Sequence, residues 1–357
     1  MRKITLLVIT LMLCLSGARA QEPVRNIIYL IGDGMGLASV SMMQLKNNFE
    51  PTIFDRADNV ALAKTYSADN RVTDSAASGT ALSSGAKTNN TYIGVNPEGE
   101  ALTSMAELAS AKGMATGVVV TTYLQHATPA AFYAHCTSRH DMATITQQLV
   151  TSDWDVAIGG GMEFFRELYG SEQQAEQAIL DEGFVLVRSM EELAAQSGEN
   201  EVMALIADKE VGANSGSYLA EATSEALRLL DARSDDKGIF LMVEGSLIDG
   251  MGHANDAEAM QLEMEGFMQA VEVAVAYAER TPGTLVVVTA DHETGGLSIV
   301  SNDADFNLAE QGVKYLFSTQ GHSASMVPIY LYGTGAENIN GIMENSELGK
   351  KLMTMIR

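Results

Sequence analysis

Cysteine is almost missing from this chain of 357 residues, which has only Cys14 and Cys136. Cys14 lies in a leader-like segment, so the mature chain keeps Cys136 alone. An intrachain disulfide is then excluded, and stability must come from core packing or bound metal. Basic residues are scarce as well: 22 Lys and Arg stand against 46 Asp and Glu, for a net charge of −24. A nucleic-acid binder that neutralises phosphates needs the opposite balance. The same charge repels anions at long range, so any anion site must supply its own local positive charge. No interior run reaches the ~18–20 apolar residues of a membrane span, so stable membrane insertion is not expected. Low-complexity blocks, internal repeats and Pro/Gly/Ser linkers are also lacking, which argues for one domain.

What is present points to a folded, exported protein. Apolar residues make up 46% of the chain, enough for a sizeable core. The start reads as a secretory signal over residues 1–20: basic Arg2-Lys3, an apolar run over 4–15, then Ala18-Arg19-Ala20 before a cut at Gln21. Its removal takes Arg2, Lys3 and Arg19 with it, making the mature chain more acidic still. Residues 21–357 form the expected single domain, periplasmic or extracellular.

Apolar runs at 26–31, 117–121, 156–158, 184–187, 239–243, 285–289 and 328–332 read as strands. Most show no alternation, as expected of strands buried on both faces. Helical stretches separate them, among them 217–232 and 255–278. On the latter, Met260, Met264 and Met268 recur every fourth residue and read as a core stripe. The pattern predicts an α/β fold with a mostly parallel sheet and helices on both faces. Chemistry in such folds sits at the carboxyl ends of the strands.

Four strand ends carry acids or histidines. The first is Gly32-Asp33-Gly34-Met35-Gly36. Leu37 stands where a dinucleotide fingerprint wants glycine, and Asp33 would repel a pyrophosphate. A carboxylate between permissive glycines suits a cation, with a turn-stabilising Asp as the bland alternative. The second end carries Glu244, Asp249 and His253. If that stretch turns helical, Asp249 and His253 share a face and fit zinc. The third carries Asp291 and His292, the fourth His322. A separate run of small residues reads as a tightly packed helix beginning near Ser75. That serine either caps the helix or points its hydroxyl at a bound anion. His135, His140, Cys136 and Trp154 read as packing or surface, and Lys87 as a cation closing the small-residue helix. Three acids and three histidines at strand ends, with a helix-start serine, are the parts of a two-metal phosphoryl-transfer site.

At this point the sequence resembles the alkaline phosphatase family. The matching pieces are Gly32-Asp33-Gly34-Met35-Gly36, Thr73-Asp74-Ser75-Ala76-Ala77-Ser78-Gly79, Gln125-His126-Ala127-Thr128-Pro129-Ala130, Thr137-Ser138-Arg139, Val243-Glu244-Gly245 through Asp249 and His253, Thr289-Ala290-Asp291-His292, and Gly321-His322. They stand in the family's order and spread over nearly the whole mature chain. The resemblance implies a three-layer αβα sandwich and a zinc-dependent phosphomonoesterase. It implies one Zn2+ held by Asp249, His253 and His322. A second would be held by Asp33, Asp291 and His292, with Ser75 as an added ligand. A third ion, usually Mg2+, would sit near Asp33, Thr128 and Glu244. Ser75 would be the nucleophile of a two-step reaction through phosphoserine, and Arg139 would grip the phosphate. The substrates would be small phosphate monoesters, and a homodimer is left open.

Three departures stand out. Gly250 follows Asp249 where relatives often place Lys, His or Trp to help hold phosphate. His126, beside the third ion, occupies a place where some relatives carry Asp, which opens that site to zinc as well as magnesium. The stretch 293–320 is short, which argues against a large accessory subdomain. A sulfatase would want x-Pro-x-Arg after its nucleophile, which Ala76, Ala77, Ser78 and Gly79 do not provide. A diesterase would not need Arg139, and a non-catalytic metal or phosphate binder would have no use for Ser75.

Overall fold

The computed structural model describes residues 23–212, 216–305 and 312–357. The expected signal segment, with Cys14, lies outside the described residues. Fourteen strands follow in chain order among the described residues. They are β1 (Asn26–Gly32), β2 (Asn59–Lys64), β3 (Ala115–Tyr123), β4 (Val156–Gly160), β5 (Val185–Val187), β6 (Val202–Ala207) and β7 (Ile239–Gly245). After these come β8 (Thr284–Thr289), β9 (Glu293–Thr294), β10 (Leu297–Ser301), β11 (Val313–Phe317), β12 (His322–Ser323), β13 (Val327–Gly333) and β14 (Gly341–Glu344). All seven expected strands are present.

Ten of the strands form one sheet in the order β14-β2-β13-β8-β1-β7-β3-β4-β6-β5. Only β13 runs against its neighbours; the other pairings are parallel. β1 and β7 are buried along their whole length, so helices must cover both faces. Tyr218–Arg233 packs on Ala257–Arg280, which also touches Leu37–Lys46. Ser75–Ser84, Met105–Ala111 and Asn345–Met353 pack together as a second group. The architecture is the expected αβα sandwich. Val286, Val287 and Val288 on β8 are fully buried, each contributing about 1.5–3 kcal/mol through removal from water. Met260 and Met264 lie in the same core, with Met268 half-buried against it.

Among the described residues between β8 and β13, the strands form two short antiparallel pairs, β9 with β12 and β10 with β11. Lys87 does not close the small-residue helix. Gly85, at φ +72°, ends it, because glycine enters the left-handed region without a Cβ penalty. Lys87 instead donates to the Tyr66 carbonyl and lies 4.0 Å over the Tyr66 ring.

Candidate functional site

Three adjacent strands in the middle of the sheet, β8, β1 and β7, deliver three acids. Ile31 on β1 lies opposite Glu244 on β7 and Thr289 on β8, so Asp33 and Asp291 emerge level with each other and Glu244 two residues before them. All three are fully buried. The turn beyond Asp33 needs glycine: Gly34 has φ +75°, and a Cβ there would lie 2.8 Å from the Asp249 Cα. The Gly34 and His292 amides donate to Asp291 Oδ1 at 3.1 and 2.9 Å.

After β7 the chain turns into the helix Leu247–Ala254. Asp249 and His253 fall one turn apart on it, and His253 Nε2 lies 3.2 Å from Asp249 Oδ2. His322 arrives on β12 with Nε2 3.6 Å from Asp249 Oδ1, its Nδ1 resting 2.8 Å from the Thr73 carbonyl.

The Ser75–Ser84 helix rules out the capping reading of Ser75. Asp74 is the cap: its Oδ1 accepts from the Ala77 amide at 3.0 Å. Ser75 is the first helical residue, relieved of capping. Its buried hydroxyl lies 3.1 Å from His292 Nε2. Ser78 anchors the helix by donating to the Asp291 carbonyl at 2.6 Å and accepting from Asn345 at 2.9 Å.

Three groups of ligand atoms lie within 4.8 Å of one another: Asp33, Asp291 and His292; Asp249, His292 and His322; Asp33, His126 and Glu244. The first is an expected set. The second shares Asp249 and His322 with another, but His292 completes it, its ring stacked on His322 at 3.5 Å. His253 takes the other Asp249 oxygen and turns Nδ1 toward the Gln320 carbonyl. In the third, His126 Nδ1 lies 3.9 Å from Glu244 Oε1, close enough to act as a ligand itself, and Thr128 donates to Asp33 Oδ2 at 3.4 Å. Arg139 stands beside this group. Its two terminal nitrogens lie 3.3 Å from Asp74 Oδ2 and 3.3 Å from His126 Nε2.

The electrostatics describe a site built around missing positive charge. Burial, reinforced by Asp291, Asp249 and Glu244, lifts the Asp33 carboxyl well above its ordinary range. Burial pushes Glu244 up to about 8 and Asp291 up to about 6. Burial, with Arg139 nearby, holds His126 down to about 3, so its imidazole is neutral with a lone pair free. Burial and His322 likewise keep His292 neutral. Asp249 differs: burial would raise it, but the His253 hydrogen bond and the His292 and His322 rings hold it low. Asp33 Oδ1, Asp291 Oδ2, Glu244 Oε1 and His126 Nδ1 are buried without a hydrogen-bond partner. Buried lone pairs of this kind call for a cation, and mixed carboxylate-imidazole sets suit zinc or its neighbours.

Sequence reasoning missed four supports. Asp74 caps the helix and holds Arg139, and Ser78 ties that helix to β8. Ser246 donates to Glu244 Oε2 at 2.6 Å. Thr294 donates to Asp249 Oδ1 at 2.5 Å and meets His292 Nδ1 at 3.1 Å. The one available signal was the two-residue spacing of Thr294 from His292, which puts both on one side of an extended segment. His135 is structural, bridging Glu107 and the Gly94 carbonyl.

A broad parallel sheet whose central strand ends gather buried carboxylates, imidazoles and a helix-start serine defines a metal-binding α/β protein. The chain belongs to the alkaline phosphatase family, whose model matches residues 24–312. It is 37% identical over 317 residues to alkaline phosphatase 3 of Bacillus subtilis, covering 82% of this chain and 66% of that one. This chain thus spans just under two thirds of that relative's length. It is 31% identical over 404 residues to the alkaline phosphatase of Escherichia fergusonii, covering 92% of this chain and 84% of that one. A solved mutant of the alkaline phosphatase from the Antarctic bacterium TAB5, with Mg bound in its M3 site, matches at TM-score 0.86. It shares 33% identity and covers 94% of this chain and 99% of that chain.

Proposed function

We propose that this protein is an exported, metal-dependent alkaline phosphatase that hydrolyses phosphate monoesters through a phosphoserine at Ser75. One observation carries the reading. The Ser75 hydroxyl, free of capping, packs on His292 inside a cluster of unpartnered buried carboxylates, with the Arg139 guanidinium alongside.

Asp33, Asp291 and His292 would hold one zinc, with Ser75 as an added ligand. Asp249, His253 and His322 would hold a second. Asp33, Thr128 and Glu244 would hold a third ion, magnesium or zinc, and His126 is near enough to join them. When bound, such ions stabilise developing negative charge and lower the pKa of a coordinated hydroxyl.

The chain's own groups do the rest. The helix start fixes Ser75 Oγ, and the helix dipole favours an anion in front of it. Oγ attacks phosphorus in line with the departing ester oxygen, forming the phosphoserine and releasing the alcohol. Water then cleaves the serine–phosphate bond, giving inorganic phosphate and restoring the hydroxyl. Arg139 presents a planar fork to two phosphate oxygens, which favours a monoester dianion over a diester. Asp74 holds that fork ready before substrate arrives, so less ordering is needed on binding. Arg139 and the bound cations also answer the long-range repulsion of a chain at −24. The basic start, apolar run and Ala18-Arg19-Ala20 ending support export.

The test is hydrolysis of 4-nitrophenyl phosphate before and after EDTA, with zinc and magnesium restored separately, beside hydrolysis of its bis-ester. Loss on chelation, recovery with metal and preference for the monoester are expected. Undiminished activity in EDTA would overturn the metal reading, and preference for the bis-ester would make the protein a diesterase.

A further inference from the structure

Beside Arg139 the surface opens into a cavity of about 540 Å³ that the chemistry above does not use. Its volume falls within the range of small-molecule sites. Arg139, paired with Asp74, and His126 line the side nearest the metal ligands; Tyr123, Phe164 and Met142 supply an apolar stretch, and the exposed Lys209 adds a second cation to the lining. The Tyr123 and Phe164 rings pack 4.7 Å apart at 52°. Tyr123 meets the His126 ring edge-on at 5.4 Å, so the aromatic pair adjoins the ligand cluster directly.

The backbone is shaped to put Lys209 there. β4 ends in Gly159-Gly160, and Gly161 follows. A Cβ on Gly160 would sit 1.6 Å from the Lys209 carbonyl oxygen, and one on Gly161 would sit 2.1 Å from Gln125 Oε1. Only glycine allows this crossing. The segment is pinned on both sides: the Glu163 amide donates to the Asp208 carbonyl at 2.9 Å, and the Val211 amide to the Thr121 carbonyl at 2.9 Å. Asp208 is taken by Arg166 at 2.8 Å, whereas Lys209 has no ion-pair partner among the described residues.

We infer that this cavity receives the alcohol part of the substrate, and that it fits the phosphate ester of a flat aromatic group bearing a second negative charge. The inference rests on the phosphatase reading. Arg139 holds the phosphoryl end, the Tyr123–Phe164 pair offers ring surface for stacking, and Lys209 meets the distal anion in an otherwise acidic protein.

The test uses the metal-loaded mature protein on 4-carboxyphenyl phosphate, phenyl phosphate and glycerol 1-phosphate. Each variant is compared with wild type on one substrate at a time, so differences in leaving-group acidity cancel. Phe164→Leu is expected to raise KM for both aryl esters about fivefold relative to glycerol 1-phosphate, as loss of a ring contact does. Phe164→Tyr, which keeps the ring, is expected to restore it. Lys209→Glu is expected to raise KM for the carboxylated ester about fivefold relative to phenyl phosphate. Equal changes on all three substrates, or no rescue by tyrosine, would overturn the subsite while leaving the phosphatase reading intact. Failure of the wild type to turn over any of the three would overturn both.

Discussion

Gly250 lies inside the Leu247–Ala254 helix directly after Asp249, and a Cβ built on it meets nothing within 4 Å. Gly250→Lys therefore enters without displacing a neighbour, and two separable effects follow. Replacing a helical glycine with a good helix former is worth about 0.5–1 kcal/mol. In a protein of this size that raises Tm by about 1 °C. The new ammonium, taken at ~8 Å from a bound phosphate dianion in water-like surroundings, adds about 1 kcal/mol of attraction. The inhibition constant of inorganic phosphate against 4-nitrophenyl phosphate should then fall about fivefold, with most of the gain lost in high salt, where the Debye length shrinks to ~3 Å. Thermal unfolding and phosphate inhibition at two salt concentrations read the effects independently. A higher Tm with an unchanged inhibition constant would refute the reasoning that a cation at this position strengthens the hold on product phosphate.

Ser75→Ala should cut kcat by about 10³-fold or more, with no phosphoserine trapped on acid quench of enzyme mixed with labelled phosphate. Metal content measured by mass spectrometry should stay above one ion per chain, and full turnover would remove Ser75 as nucleophile. Chelation should lower Tm as well as activity, since an ion at a thousand times its Kd contributes about 4 kcal/mol to the folded state; a Tm indifferent to EDTA would argue against ions among the buried carboxylates. His135→Gln tests a pair away from the site. The hydrogen bond to Glu107 raises the His135 pKa. Its stabilisation is therefore full below the unfolded value of about 6.5 and is lost as pH rises through the higher folded value. The Tm gap between wild type and variant should be wider at pH 6 than at pH 9, and equal gaps would discard the pairing.

Legibility in the sequence followed burial. β1, β7 and β8 run through the middle of the sheet with both faces covered, so they read as unbroken apolar runs. β14 is an edge strand and β2 the next one in, and there Ile342 and Val60 are exposed and the apolar signal thins out. β6 is buried over its first four residues, but between Val202 and Ile206 it is written in Met, Ala and Leu, which favour helix as strongly as strand. The metal-ligand candidates stood out because acids and imidazoles directly after buried strands have little packing use. Ser78 did not, because its partner, the Asp291 carbonyl, comes from a strand end more than two hundred residues away; Asp74 did not, because Ser75 beside it is an equally good capping residue type. His126 stands three residues beyond β3, where it also precedes a short helix, and only its distance to Glu244 distinguishes ligand from bystander.

The Gly34 amide reaches Asp291 across 257 residues of sequence. No short fragment of the nascent chain can assemble that pocket, so a cation has nothing to grasp until the middle strands have met. Loading is then a late event, one that slows escape from the native state more than it speeds arrival. On the export reading, the polypeptide would cross its membrane empty and be charged with metal at its destination, leaving the supply of zinc there to decide how much of it becomes active.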